Sequence, residues 1–315
     1  MNTKSHKRQH FVPECYLRSW CDPDCPSEYE PYIWLFERDG STPRKKSPSN
    51  IFKETDFYTV EKADGTRDLS LEHGLSGLES KFASIRERKL SNQLPLTEEE
   101  HAYLGVFVAA AQFRTRSSRE HHASQWQHAL DLMDDLAEGM ANATHEQKRT
   151  AAGISNASSE SNSLSHEQVR RLAEYPLQTM MPGILQAVTP VLTSMNMLIL
   201  NTEDPVGFIT SDQPVTWFDP EAYKLPPIYR SPALASPTIE VTMPISPKQC
   251  LIFAWQCPEG YVDAPALALN ELNRRHRALS GQHIVVRSQT TDPYWFEEPD
   301  LPDDAWENSR KRPAD

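Results

Sequence analysis

Apolar and polar positions follow three regimes along this chain. Near its start, Pro13 suits the first turn of a short helix that carries Tyr16, Leu17 and Trp20 on one side. Residues 32–36 are an unbroken apolar run, which predicts a buried strand closed by Asp39 and Gly40. Residues 57–60 predict a second, shorter strand, closed by Asp64 and Gly65.

The centre reads as helix. Leu71, Leu75, Leu78, Phe82 and Ile85 recur at alternating steps of four and three, one amphipathic stripe. Thr97 followed by Glu100 is a capping box, opening a long helix through Phe107, Trp126 and Leu136. Six Ser and two Asn within residues 150–165 break the pattern and predict a flexible excursion. Helical spacing resumes at His166 and runs, interrupted by Pro, to about Leu192.

Strands return after that. Residues 197–200, 208–210, 250–255 and 283–286 are short apolar runs, and residues 238–245 put Ile239, Val241, Met243 and Ile245 on one face. One helix is expected at about 266–278, with Pro265 just ahead of it. Strands, then helices, then strands without βαβ alternation indicate an α+β fold. The expected architecture is a mostly helical centre with β-rich N- and C-terminal parts, packed as a single domain over residues 10–290. Residues 1–9 and 291–315 are expected to be polar tails.

Composition narrows the function classes. The 315 residues are 38% hydrophobic, but seven Trp and eleven Phe argue for a packed core. Glycine is scarce, 11 against 25 Pro, and no glycine-rich phosphate loop or nucleophile-elbow motif occurs. Dinucleotide-binding folds, P-loop NTPases and typical α/β-hydrolases are therefore not expected. A net charge of -12 disfavours nucleic acid and anionic membranes as partners. Residues 291–315 carry eight acids and three bases, so much of that charge belongs to the end of the chain.

No apolar segment follows the basic N-terminus, and the most apolar stretch, residues 195–200, is too short to span a bilayer. A soluble cytoplasmic protein with reduced thiols is expected, in keeping with an odd count of five Cys. Cys21 with Cys25, and Cys250 with Cys257, lack the C-x2-C spacing of a zinc knuckle, so free, partly buried thiols are the expectation.

Several segments carry a resemblance. His10-Phe-Val-Pro13 opens the series, followed by Asp56-Phe-Tyr58, Glu72 with Glu79, Arg114-Thr115, Gly207 to Val215 with its S-D-x-P-V core, Pro244-Ile-Ser-Pro247, and Leu272-Asn273. In these the chain resembles a bacterial family known only as a domain of unknown function, DUF4238, over roughly residues 10–288. The resemblance implies an intracellular fold in which these segments converge, and no established activity. Two departures are visible: Arg116 stands where the family usually has Pro after the Arg-Thr pair, and Gln112 is offset by one position.

The candidate chemistry lies in the same segments. His10 stands just ahead of a helix start, where the helix dipole favours a neutral imidazole, suited to a base or a metal ligand, or simply to a cap. Glu72 and Glu79, seven apart on one helix, flank the apolar stripe; they can share a cation or act as acid and base. Arg114, at the edge of the next stripe, can clamp a phosphate or carboxylate, or pair with Glu79. Asp212 ends an apolar strand before a Pro-containing turn, as a catalytic carboxylate or an Asx-turn.

Two function classes follow. In the first, His10, Glu79, Asp212 and Arg114 are catalytic, and His10, Glu72, Glu79 and Asp212 hold Mg²⁺ or Mn²⁺, less readily Zn²⁺, for hydrolysis of phosphoesters or nucleotides, nuclease-like in character. In the second, the protein binds or regulates without catalysis, and the same polar residues are a structural network. The remaining candidates are poorer. His145 and His166, each followed by Glu and then Arg, lack the second His of a zinc-protease helix, and Ser211 has no nucleophile context. Arg114, Arg116 and Arg119 form a small basic cluster able to hold a phosphate, or to lie on the surface.

Overall fold

The structure, a computed structural model, describes residues 8–62, 64–155 and 164–297. Strand β1 (Arg8–His10) is followed by a one-turn helix α1 (Glu14–Leu17), strands β2 (Ile33–Glu37), β3 (Arg44–Lys46) and β4 (Lys53–Thr55), and a hairpin of β5 (Val60–Glu61) and β6 (Arg67–Asp68). The helical centre comprises α2 (Ser70–Arg88), α3 (Glu98–Phe113), α4 (Arg116–Asn142), α5 (His145–Ser155), α6 (His166–Glu174) and α7 (Pro176–Ser194). Strands β7 (Asn196–Asn201), β8 (Thr210–Ser211), β9 (Thr216–Phe218), β10 (Glu240–Ser246), β11 (Gln249–Ala254) and β12 (Gly260–Asp263) come next, then α8 (Ala266–Leu279) and β13 (His283–Val286). The mixture is α+β, as the sequence pattern indicates.

Two sheets organise the chain. The larger has the order β12-β7-β11-β10-β9 and is antiparallel except for β12, which runs parallel to β7. The smaller, β3-β2-β13-β8, is antiparallel throughout. Its central pair sets His283 opposite Glu37 and Val286 opposite Trp34, so the N- and C-terminal parts share a sheet.

The larger sheet lies between two helical layers. One face, including Met197, Ile199, Val241 and Met243, joins Phe82 of α2, Phe107 of α3 and Leu192 of α7 in the main core. The other face presents Leu200, Cys250 and Ile252 to Leu269 and Leu272 of α8. Each large apolar side chain buried this way contributes about 1.5–3 kcal/mol. The face of β10 is the one expected from alternation, with Val241, Met243 and Ile245 all in the main core.

A ring of hydrogen bonds locks the approach to β8. Gly207 has φ 71, and a Cβ there would lie 2.0 Å from the Pro247 carbonyl oxygen, so only glycine fits. Phe208 N–H donates to that oxygen at 2.7 Å, and Trp20 Nε1–H donates to the Phe208 carbonyl at 2.8 Å. Asn273 bridges the same strand, accepting from Ile209 N–H at 3.0 Å and donating to the Gly207 carbonyl at 2.9 Å. Tyr16 O–H donates to the Pro244 carbonyl at 2.7 Å. Tyr16, Gly207, Pro244, Pro247 and Asn273 are thus explained by backbone satisfaction alone.

Four sequence expectations need correction. Residues 57–59 form a turn, with Asp56 at φ 56; their apolar character reflects burial of Phe57 and Tyr58 in the core. The long central helix is two helices. Thr115 caps α4, its Oγ1 accepting from Ser118 N–H at 3.2 Å, and turns the chain at Arg114. The family-typical Pro at position 116 would fall at the first position of α4, where Pro fits equally well.

Residues 150–155 belong to α5, which opens on a capping box not noticed in the sequence, Thr144 with Gln147. Residues 156–163 of the expected excursion lie outside the described residues. The tails are also shorter than expected at their inner ends. Gln9 is fully buried and bonded to Thr59 and Tyr58, and Trp295 is buried against the smaller sheet. Residues 1–7 and 298–315 are outside the described part.

Candidate functional site

Two neighbouring polar centres meet at the corner between α3 and α4. The first is buried and built on Arg114, whose side chain is only 2% exposed. Its Nη1 donates to Glu79 Oε1 at 2.7 Å, its Nη2 to the His10 carbonyl at 2.7 Å, and its Nε to the Tyr58 hydroxyl at 3.0 Å. Burial alone would disfavour the cation, but Tyr58 and Glu79 outweigh it and hold the guanidinium charged. Burial pushes Tyr58 up to about 12, against Arg114 and with Glu72 and Glu79 adding to the rise.

His10 ends β1 and is tied into this centre through its backbone. Burial lowers its pKa, Lys53 adds to the fall, and Glu14 and Glu79 oppose it, so the ring is neutral at pH 7. Its Nε2 is buried with no partner among the described residues. His10, Glu79 and Arg114 therefore come together around Tyr58, with Glu72 within electrostatic reach of that hydroxyl.

Asp212 is not part of that centre. It ends β8, and its carboxylate bridges to the turn between α8 and β13: Gly281 N–H donates to Oδ1 at 2.8 Å and Gln282 N–H to Oδ2 at 2.7 Å. The carboxylate does not make the local Asx-turn; that turn is made by Ser211, whose Oγ accepts from Gln213 N–H at 3.0 Å. Gly281 allows the approach, since a Cβ there would sit 2.9 Å from Asp212 Oδ2. Among the described residues, no group of three or more His, Cys, Asp or Glu is placed to hold a metal ion. The ligand set His10, Glu72, Glu79 and Asp212 does not assemble, because Glu79 is turned to Arg114 and Asp212 to backbone N–H groups.

The other sequence candidates have ordinary partners. Arg116 and Arg119 both pair with Glu54, at 2.5 and 3.0 Å, so the basic cluster is filled by carboxylates. His166 pairs with Asp134 at 2.8 Å on the exposed side of α6. All five Cys are free.

The second centre is a cleft of about 380 Å³ that Asp212 borders. Phe11, Leu35, Ile51 and Phe52 make its apolar floor. Lys53 of β4 and Arg116, Ser117 and Glu120 of α4 line it as well, with Gln213 and Gly281–His283. Phe52 holds a left-handed backbone, φ 51, which is strained for a bulky residue and is pinned where Phe11 N–H donates to its carbonyl at 2.8 Å. Its ring lies 5.8 Å from that of Phe11 and 6.3 Å from that of His283. The cations are held: Arg116 by Glu54, and Lys53 by the Ser49 carbonyl and by Asn50 Oδ1.

The model of a family described as proteins of unknown function, DUF4238, matches residues 8–284. The chain belongs to DUF4238. No curated protein sequence and no solved structure matches it. Within the DUF4238 match, the H-x-x-P opening contributes to both centres. His10 gives its carbonyl to Arg114, and the next residue, Phe11, faces the cleft. The Arg-Thr corner does the same through Arg114 and Arg116. Phe52, Lys53, Ser117 and Gln282 were missed from sequence, since a left-handed phenylalanine or an isolated glutamine leaves no periodic mark. Gly281 did carry a signal: in so glycine-poor a chain, a lone glycine after a helix marks a close approach.

Proposed function

We propose that this DUF4238 protein is a cytoplasmic, non-catalytic binding or regulatory protein, that its cleft takes a small organic ligand, and that the Arg114 network is structural. One observation carries the reading: the H-x-x-P opening, the Arg-Thr corner and the S-D-x-P segment, remote in sequence, border one cleft through Phe11, Arg116 and Asp212. Its volume falls within the roughly 300–1,000 Å³ of small-molecule sites, and an apolar floor with few polar groups is the usual composition of such sites. The strain at Phe52 supports the same location, because strained backbone persists where surrounding packing over-determines it.

Metal-assisted hydrolysis of phosphoesters or nucleotides would need His10, Glu72, Glu79 and Asp212 at one cation, and their observed partners give no support to that arrangement. The cytoplasmic setting is supported by five unpaired Cys. Among the described residues no helix is long and apolar enough to cross a membrane.

The test is a thermal-shift survey of metabolites and divalent metals on the wild type and on Ser117→Trp, which fills the cleft from an exposed wall position. Ligands that stabilise the wild type should lose their effect in the variant. Equal shifts in both proteins, or none in either, would remove the cleft as the binding site.

A further inference from the structure

The cleft's polar groups divide into those with partners and those without, and the division identifies what the ligand must offer. Every cation at the cleft wall has a partner. Arg116 pairs with Glu54, and Lys53 donates to Ser49 and Asn50. Asp212 has both oxygens turned to backbone N–H groups. An entering phosphate would find Arg116 already paired with Glu54 through Nε and would face the carboxylates of Glu120 and Asp212.

The side chains of Ser117, Glu120, Gln213 and Gln282 line the same cleft and make no hydrogen bond or ion pair within the described residues. Two primary amides, one hydroxyl and one carboxylate are thus left with their hydrogen-bonding capacity open. A glutamine amide offers an adjacent donor and acceptor, the pattern that matches the edge of a nucleobase. A carboxylate accepts from amino groups or sugar hydroxyls. Phe11 and Phe52, each less than a tenth exposed, give the same cleft an apolar edge suited to the flank of a planar heterocycle.

Resting on the reading of the cleft as a binding site, we infer that its ligand is recognised through a planar, hydrogen-bonding heterocycle of the nucleobase or nucleoside class, read by Gln213, Gln282 and Glu120, and not through a phosphate. Charge contributes little to such binding, so the affinity depends weakly on ionic strength.

Calorimetric titration with the four common ribonucleosides, their 5′-monophosphates and inorganic phosphate tests this on the full chain. At least one nucleoside should bind, with an affinity close to that of its monophosphate and similar at low and high salt. Gln213→Leu, at a partly exposed position, should weaken it about tenfold or more, while Arg170→Gln, in an exposed pair with Glu167 on α6 and outside the cleft lining, leaves it nearly unchanged. Thermal melts of both variants check that they fold, and Gln282→Leu, at an exposed position, is the second probe. A monophosphate preferred by about tenfold or more, or competition by inorganic phosphate, overturns the inference. If no nucleoside binds but a compound of another class does, blocked by Ser117→Trp, the inference fails and the cleft stands. If no compound binds, both fail.

Discussion

Arg114 and Arg116 stand two residues apart at one corner of the fold, and their surroundings could hardly differ more. Arg114 is enclosed, with Glu79, Tyr58 and the His10 carbonyl arranged around its fork. Arg116 has a side chain 43% exposed and one carboxylate partner, Glu54, which it shares with Arg119. The sequence shows two similar cations near a helix boundary. The structure separates a residue that holds three segments together from one that borders a cleft. What decides between them is the turn at Thr115, which sends the two side chains to different environments.

The largest expected effect breaks the buried side of this contrast. Arg114→Ala leaves Glu79 and the His10 carbonyl without their donor and should cost about 3–5 kcal/mol of stability in urea denaturation. A cost no larger than that of Arg116→Ala would mean that the two arginines do the same work.

A second buried centre tests whether burial itself is the cause. His276 is fully buried between Thr216 and Thr242, its ring nitrogens 3.2 and 3.3 Å from their hydroxyls. Burial, with a smaller push from Arg275, moves it down to about 3. Below the ordinary value near 6.5 the unfolded chain takes up a proton that the folded chain refuses. This contribution to stability is therefore whole above about pH 6.5 and is lost as pH falls toward 3, by up to about 1.4 kcal/mol per pH unit. His276→Gln should flatten that part of the stability-against-pH curve; an unchanged slope would remove His276 as its source.

The smaller effects lie at the cleft. Asp212→Ala strands the N–H groups of Gly281 and Gln282 and should cost about 1.5–3 kcal/mol, with Asp212→Asn in between. Arg116→Ala, removing an exposed pair, should cost about 1 kcal/mol or less. An Asp212→Ala protein as stable as the wild type would detach Asp212 from the α8–β13 turn and return it to candidate chemistry.

Much of the fold was legible because periodicity reports burial directly. Leu75, Phe82 and Ile85 do face the core, and the capping box at Thr97 makes both of its hydrogen bonds. Phe57 and Tyr58 misled for the same reason: a buried turn and a buried strand look alike in hydrophobicity. The break at Arg114-Thr115 was hidden because apolar and aromatic spacing continues across it. The candidate residues were legible singly, in that His10, Glu79 and Arg114 do meet. Their roles were not, because whether a carboxylate faces a guanidinium, a backbone amide or open space depends on segments far away in the chain. Asp212 shows this best, since its partners lie on a turn that nothing local to residue 212 announces.

The pairing of β2 with β13 has a consequence for how the chain is made. Leu35 finds its place beside Val285, and Phe36 beside Ile284, so the smaller sheet lacks its central neighbour until residues 283–286 have left the ribosome. Until then β2, an apolar strand of Ile33, Trp34, Leu35 and Phe36, has an open edge able to pair with another nascent chain. Closure of that sheet waits for a strand about 250 residues downstream, and synthesis that stalls before residue 283 releases a product with a strand edge exposed.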